Sequence, residues 1–127
     1  MQACYVTIST TADGNKTEIV REGEMDLFSC AANIAYVEEN ARVSVSVYNN
    51  TAKVVRQGDY TLRLNLEEGK ITVGSIGVEG AEGEILIKTH EIAYRIAETF
   101  VVILLRYDLL IGDEKQEMSL RLLAYKE

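Results

Sequence analysis

The chain has 127 residues, 47% of them hydrophobic, enough for one domain spanning residues 1–127 with a core of its own. Its 13 basic and 20 acidic side chains leave a net charge of −7, which opposes a nucleic-acid backbone and excludes nucleic acid as an expected partner. The start, MQACYVTIST, lacks a basic stretch leading into an apolar one, and the longest apolar run, FVVILL (Phe100 to Leu105), is too short for a bilayer; a soluble, cytoplasmic protein with no membrane partner is expected.

In chain order, the hydrophobic period is two almost everywhere. A turn signal at Ala12-Asp13-Gly14-Asn15 closes the first segment, and in the second Arg21 shares parity with Ile19 and Met25. The alanines of DLFSCAANIA raise helix propensity locally, yet the surrounding alternation predicts a strand, a turn at Ala32-Asn33 and another strand. In IAYVEE, Glu38 is in phase with Ile34 and Tyr36. RVSVSVYN sets Val43, Val45 and Val47 on one face, and Asn49-Asn50 turns the chain into a segment where Arg56 is in phase with Val54. TLRLNL places Leu62, Leu64 and Leu66 together, and Glu67-Glu68-Gly69 leads into KITV.

The next stretch, GSIGVEGAEG, carries Gly74, Gly77, Gly80 and Gly83 at every third position. A phosphate loop needs a lysine and a hydroxyl residue after its last glycine, whereas Glu79, Glu82 and Glu84 would repel a phosphate. Collagen needs many proline-rich triplets, and the chain has no proline. The glycines are therefore expected to bend a sheet, at corners and turns. Ile85 and Ile87 are odd-numbered while Ile92, Tyr94 and Ile96 are even, so a bulge or turn is predicted between Thr89 and Glu91. FVVILL is apolar on both faces, so a homodimer seam or a packed terminus is expected to cover its outer side. Gly112-Asp113-Glu114 then turns into EMSLRLLA.

Short turns between alternating segments specify an antiparallel meander, and about eight to ten strands are too many for an open sheet in so short a chain. The expected fold is all-β, a single antiparallel meander barrel, since closure also removes the edges that proline would otherwise blunt.

Several residue types bear on function. Cys4 and Cys30 are expected as buried thiols rather than a disulfide. His90 is the only histidine, so multi-histidine metal sites are excluded, no cofactor or metal is expected, and catalysis through His90 with a carboxylate is the least favoured reading. The in-phase charges Arg21, Glu38 and Arg56 point to the interior or its mouth. There Arg56 and Glu38 are expected to pair, or an arginine to offer its planar fork to a ligand carboxylate or phosphate. Tyr5, Tyr36, Tyr48, Tyr60, Tyr94 and Tyr107 are candidates either for cross-strand packing or for lining a cavity, and of these Tyr36, Tyr94 and Tyr107 are taken as the ligand contacts.

The order and spacing of these segments resemble the YwiB-like family of uncharacterised bacterial proteins. The likeness is carried by Glu22-Gly23, IAYVEE with Tyr36 and Glu38, VVRQG with Arg56 and Gly58, LRLNLEEG ending at Gly69, GEILIKT from Gly83, and LLRYDLLIGDE with Tyr107. Members tend to carry an aromatic residue and a threonine ahead of the Gly83 position, where this chain has Val78 and Gly80. The resemblance implies a small calycin-like, that is lipocalin-like, barrel with no established activity. A non-catalytic barrel binding a small, partly apolar or anionic molecule is the expected function. The alternative is a filled barrel that dimerises or docks a partner through Phe100 to Leu105.

Overall fold

The computed structural model describes residues 1–127 as ten strands: β1 (Gln2–Ala12), β2 (Asn15–Leu27), β3 (Ala31–Glu38), β4 (Ala41–Tyr48), β5 (Thr51–Gln57), β6 (Tyr60–Glu67), β7 (Ile71–Val78), β8 (Ala81–Ile96), β9 (Phe100–Ile111) and β10 (Glu114–Lys126). Each pairs antiparallel with its sequence neighbours, and β10 returns to β1 from Cys4↔Lys126 to Ala12↔Met118, so the meander closes into a barrel. There is no helix, and hence none long and apolar enough to cross a membrane.

Period two in the sequence becomes an inward and an outward face. Val43, Val45 and Val47 of β4 point in, as do Leu64 and Leu66 of β6 and Val101, Ile103 and Leu105 of β9, in one cluster of 25 buried residues. Val102 and Leu104, on the outer face of FVVILL, are half-buried. Their cross-strand neighbours are Arg95 and Leu123 for the first and Ala93 and Arg121 for the second.

The phase slip is where the parity change puts it, between Thr89 and Glu91, where β8 bulges against β9. The turn expected at Ala32-Asn33 falls earlier, at Phe28 to Cys30, closed by a Phe28 N–H to Ala31 carbonyl bond of 2.9 Å. The reason is burial: Ala32 and Ile34 both face the core, so the strand must already be running at Ala31. Cys4 is buried as expected, but Cys30 lies in that turn and is exposed.

Three of the four regularly spaced glycines do different jobs. Gly80, with φ +83°, makes the β7–β8 turn behind Glu79, at φ +48°. Gly74 faces inward where β7 presses on its neighbours. A Cβ there would collide with the Arg63 carbonyl oxygen and lie 3.0 Å from Ile87 Cδ1. The β6–β7 ladder runs only from Tyr60↔Val78 to Arg63↔Ser75, so Gly74 marks a corner of the wall. Gly83 is neither: a Cβ there would meet nothing within 4 Å.

The two ends of the barrel differ. At the end holding the β2–β3, β4–β5, β6–β7 and β8–β9 turns, inward residues such as Met25, Ile34, Leu66 and Ile87 are fully buried, and the Tyr94 hydroxyl reaches across to the Cys30 carbonyl at 3.4 Å. Towards the opposite end, Ile76 and Val78 share the inward parity of Gly74 but remain 38% and 49% exposed. One end is plugged by its own side chains; the other is open.

Candidate functional site

At the open end β2 runs on past the last rung of its ladder with β3. β2 pairs β3 only from Gly23↔Tyr36 to Leu27↔Ala32, although β2 continues to Asn15. Gly23 fits because it has no side chain. A Cβ would strike the Ala35 carbonyl oxygen and come within 3.2 Å of Tyr36 Cβ and Val6 Cγ2. The ladder stops there, two residues before β3 itself ends, and on the outer face beside it lies a groove of about 300 Å³ lined chiefly by Glu22, Glu24, Val37 and Arg42.

Extending the β2–β3 register by two residues would set Arg21 opposite Glu38. No ladder joins them there, however, and Arg21 has no carboxylate within 4.0 Å. Its hydrogen bond is from Nη1 to the Val20 carbonyl, 2.9 Å. Tyr36 is buried beside it. Burial first, then Glu38 and Tyr107, push its phenol well above the ordinary tyrosine value, while Arg21 pulls the other way. Burial pushes the Tyr107 phenol up to about 12. These mutual influences put Arg21, Tyr36, Glu38 and Tyr107 in one neighbourhood. No hydrogen bond contributes to either phenol's shift, and neither hydroxyl is a sealed orphan. The one buried side-chain polar atom without a partner is Thr89 Oγ1.

Arg56 sits at the same end, three strands round the barrel, and is held within its own turn. Its Nη2 lies 3.0 Å from Asp59 Oδ1, its Nη1 bonds the Tyr60 carbonyl at 3.1 Å, and its guanidinium stacks 3.8 Å from the Tyr60 ring centroid. The pair expected between Arg56 and Glu38 is thus replaced by one with Asp59, because the β5–β6 turn brings a carboxylate back within three residues. Tyr94 belongs to the plugged end. Of the six residues singled out in the sequence, the fold gathers Arg21, Tyr36, Glu38 and Tyr107, ties Arg56 into a turn, and sends Tyr94 to the other end.

A second constellation was read in the sequence only as His90 with a carboxylate, and the structure supplies that carboxylate as Asp108. His90, the outward residue of the β8 bulge, places Nε2 2.8 Å from Asp108 Oδ2, and that carboxylate is buried although it lies on the outer face of β9. Lys88, Arg106, Lys115 and Glu117 line the surrounding groove, about 590 Å³ in volume. The signal was available: Asp108 interrupts an apolar run between Tyr107 and Leu109, where a carboxylate needs a partner. The pair holds a carboxylate against an imidazole outside the barrel, on the far side of the sheet from Arg21.

Together these observations define a closed, up-and-down β-barrel of ten strands, plugged at one end and open at the other beside an unpaired arginine. The family model described as a domain of unknown function, DUF1934, matches residues 4–122, and the chain belongs to that family. Among solved structures, the crystal structure of the ywiB protein from Bacillus subtilis is similar with a TM-score of 0.86 at 18% identity, covering 99% of this chain and 92% of that one. That likeness shows the same fold, and the resemblance to the YwiB-like family drawn from the sequence is borne out. No curated protein matches the chain.

Proposed function

We propose that this protein is a non-catalytic, lipocalin-like binding barrel that holds one small, partly apolar anion at its open end. The observation that carries the reading is Arg21, a residue of inward parity without an acidic partner, near the buried phenol of Tyr36, which in turn neighbours the buried phenol of Tyr107; neither hydroxyl has a protein partner. A half-buried cation without a counter-charge is costly, and a ligand carboxylate or phosphate meeting the guanidinium fork would offset that cost. The inward-facing Leu62, Ile76 and Val78 offer apolar contact, and Gly83 leaves room beside them. Arg56 is left out of the recognition, since Asp59 already neutralises its charge and one of its faces is stacked on Tyr60. Two free thiols, one of them exposed, support a reducing, cytoplasmic setting.

Native mass spectrometry of protein purified from its own host, followed by denaturation, tests the reading. A reproducible small mass that is lost on unfolding, and absent from an Arg21→Gln variant of unchanged melting temperature, is the expected result. A clean apo species from host cytoplasm sinks the proposal.

A further inference from the structure

In the outer groove beside His90, Asp108 lies between its cross-strand neighbours Lys88 on β8 and Glu117 on β10. Lys88 stands opposite Asp108, yet that carboxylate gives its Oδ2 to His90, and no carboxylate lies within 4.0 Å of the Lys88 ammonium. The other cations nearby are paired: Arg106 with Glu91 at 3.3 Å, Lys115 with Glu117 at 3.5 Å and, in the β6–β7 turn bonded to Thr89, Lys70 with Glu67 at 2.7 Å. Asp13 of the β1–β2 turn accepts the Glu117 N–H at 2.9 Å. The lining therefore sets three positive side chains, Lys88, Arg106 and Lys115, against two negative ones, Asp108 and Glu117, a net +1 that becomes +2 when His90 is protonated, on a chain of net charge −7. Two other grooves differ in sign: Arg63 faces Asp59, Glu79 and Glu82 in one, and Lys53 balances Glu67 in the other.

We propose that this groove is a second ligand site, taking the phosphate group of a small polar molecule, and that the phosphate binds together with a proton on His90. Lys88 supplies the uncommitted charge. Arg106 and Lys115 approach from the two adjoining strands, and a tetrahedral oxyanion accepts from several sides at once. A carboxylate oxygen can only accept, so His90 Nε2 carries the proton of its bond to Asp108, while Nδ1 has no protein partner. In the neutral ring Nδ1 presents a lone pair, which repels a phosphate oxygen. Once protonated it donates, and the Asp108 carboxylate steadies the imidazolium. Asp108 is thus a positioning residue, with its side chain only 10% exposed beneath the imidazole. Thr11 and Ser119 add hydroxyls to the lining, which suits a polar molecule, whereas the open end offers Leu62, Ile76 and Val78. The site lies outside the barrel and stands independently of the reading of that end.

His90 is the only histidine, so a single imidazole reports on the site. Its titration can be followed by NMR in histidine-labelled protein, with inorganic phosphate added at an ionic strength held constant by sodium chloride. Because phosphate favours the protonated ring, linkage requires it to raise the pH at which His90 titrates, and the rise should saturate. Lys88→Gln and Lys115→Gln should each weaken the apparent phosphate affinity about tenfold, the loss of one charge-assisted contact, with an unchanged melting temperature. Lys53→Gln, in a groove without excess positive charge, should leave it intact. A His90 midpoint that ignores phosphate overturns the proposal. So does one that climbs without saturating, or a phosphate effect indifferent to both groove lysines.

Discussion

Gly23 and the Ala35 carbonyl lie so close across the β2–β3 ladder that no side chain fits between them. This contact lies at the last rung of the ladder. Gly23→Ala must push β2 off β3 or distort the ladder, and the atom in the way is backbone, which cannot swing aside. The expected cost is about 1–3 kcal/mol, as for other overpacked sites. Urea unfolding of the variant should show a lower midpoint with little change in slope.

The regularly spaced glycines should separate sharply when each is changed to alanine. Gly74→Ala meets the Arg63 carbonyl and Ile87 and should be the most damaging. Gly80→Ala must hold a left-handed φ and should cost about 1 kcal/mol. Gly83→Ala adds a methyl in open space and should be neutral or stabilise by up to about 1 kcal/mol, through the unfolded chain. Thermal melts of the three variants check the order, and equal losses would contradict it.

The same three residues show what the sequence could and could not convey. Alternation announced the strands, turn residues announced the meander, and the parity change after Ile87 located the bulge, because each is a local rule read from neighbours in the chain. Whether a glycine serves a turn, a corner or open space depends on the facing strand, which a single sequence does not display. The same limit applies to the site. Parity put Arg21, Glu38 and Arg56 in phase with buried neighbours, but the choice of Asp59 over Glu38 as the Arg56 partner is a matter of which turn folds back. The end of the β2–β3 ladder was masked because β2 alternates smoothly through residues beyond its last rung.

Thr89 is fully buried, and its Oγ1 has no partner, while its backbone is well bonded: its N–H reaches the Lys70 carbonyl at 3.1 Å and its carbonyl takes the Gly69 N–H at 2.9 Å. Thr89→Val keeps the shape and the backbone bonds and removes the stranded hydroxyl. The expected result is a gain of about 1 kcal/mol, seen as a higher melting temperature. A loss would mean that the hydroxyl finds a partner in solution.

Arg56 and Asp59 give the barrel an acid-sensitive contact. The guanidinium's hydrogen bond, with its charge, holds the Asp59 carboxyl below the ordinary value of 3.8. A carboxyl depressed on folding adds stability that is complete above its unfolded value and fades as pH falls through the lower folded one. Arg56→Gln should therefore flatten the decline of stability below pH 3.8, with a small effect at neutral pH because Asp59 is exposed. Stability curves of the two proteins across the acid range, converging at low pH, are the expected outcome.

The alkaline side tests the open end. Tyr107 is held neutral by burial, with its phenol pushed from 10.0 up to about 12. A group whose value is raised on folding contributes stability that is intact below its unfolded value and is lost as pH rises through the folded one. The barrel should thus weaken between pH 10 and about 12, and Tyr107→Phe should remove that part of the slope. At neutral pH the same variant should fold as well as the parent, since no protein group bonds the hydroxyl it loses. The two pH ranges together separate structure from recognition. If the hydroxyl serves only packing, the ligand mass retained by Tyr107→Phe in native spectra will match the parent. If it faces the bound anion beside Arg21, stability will be unchanged at neutral pH while ligand retention falls.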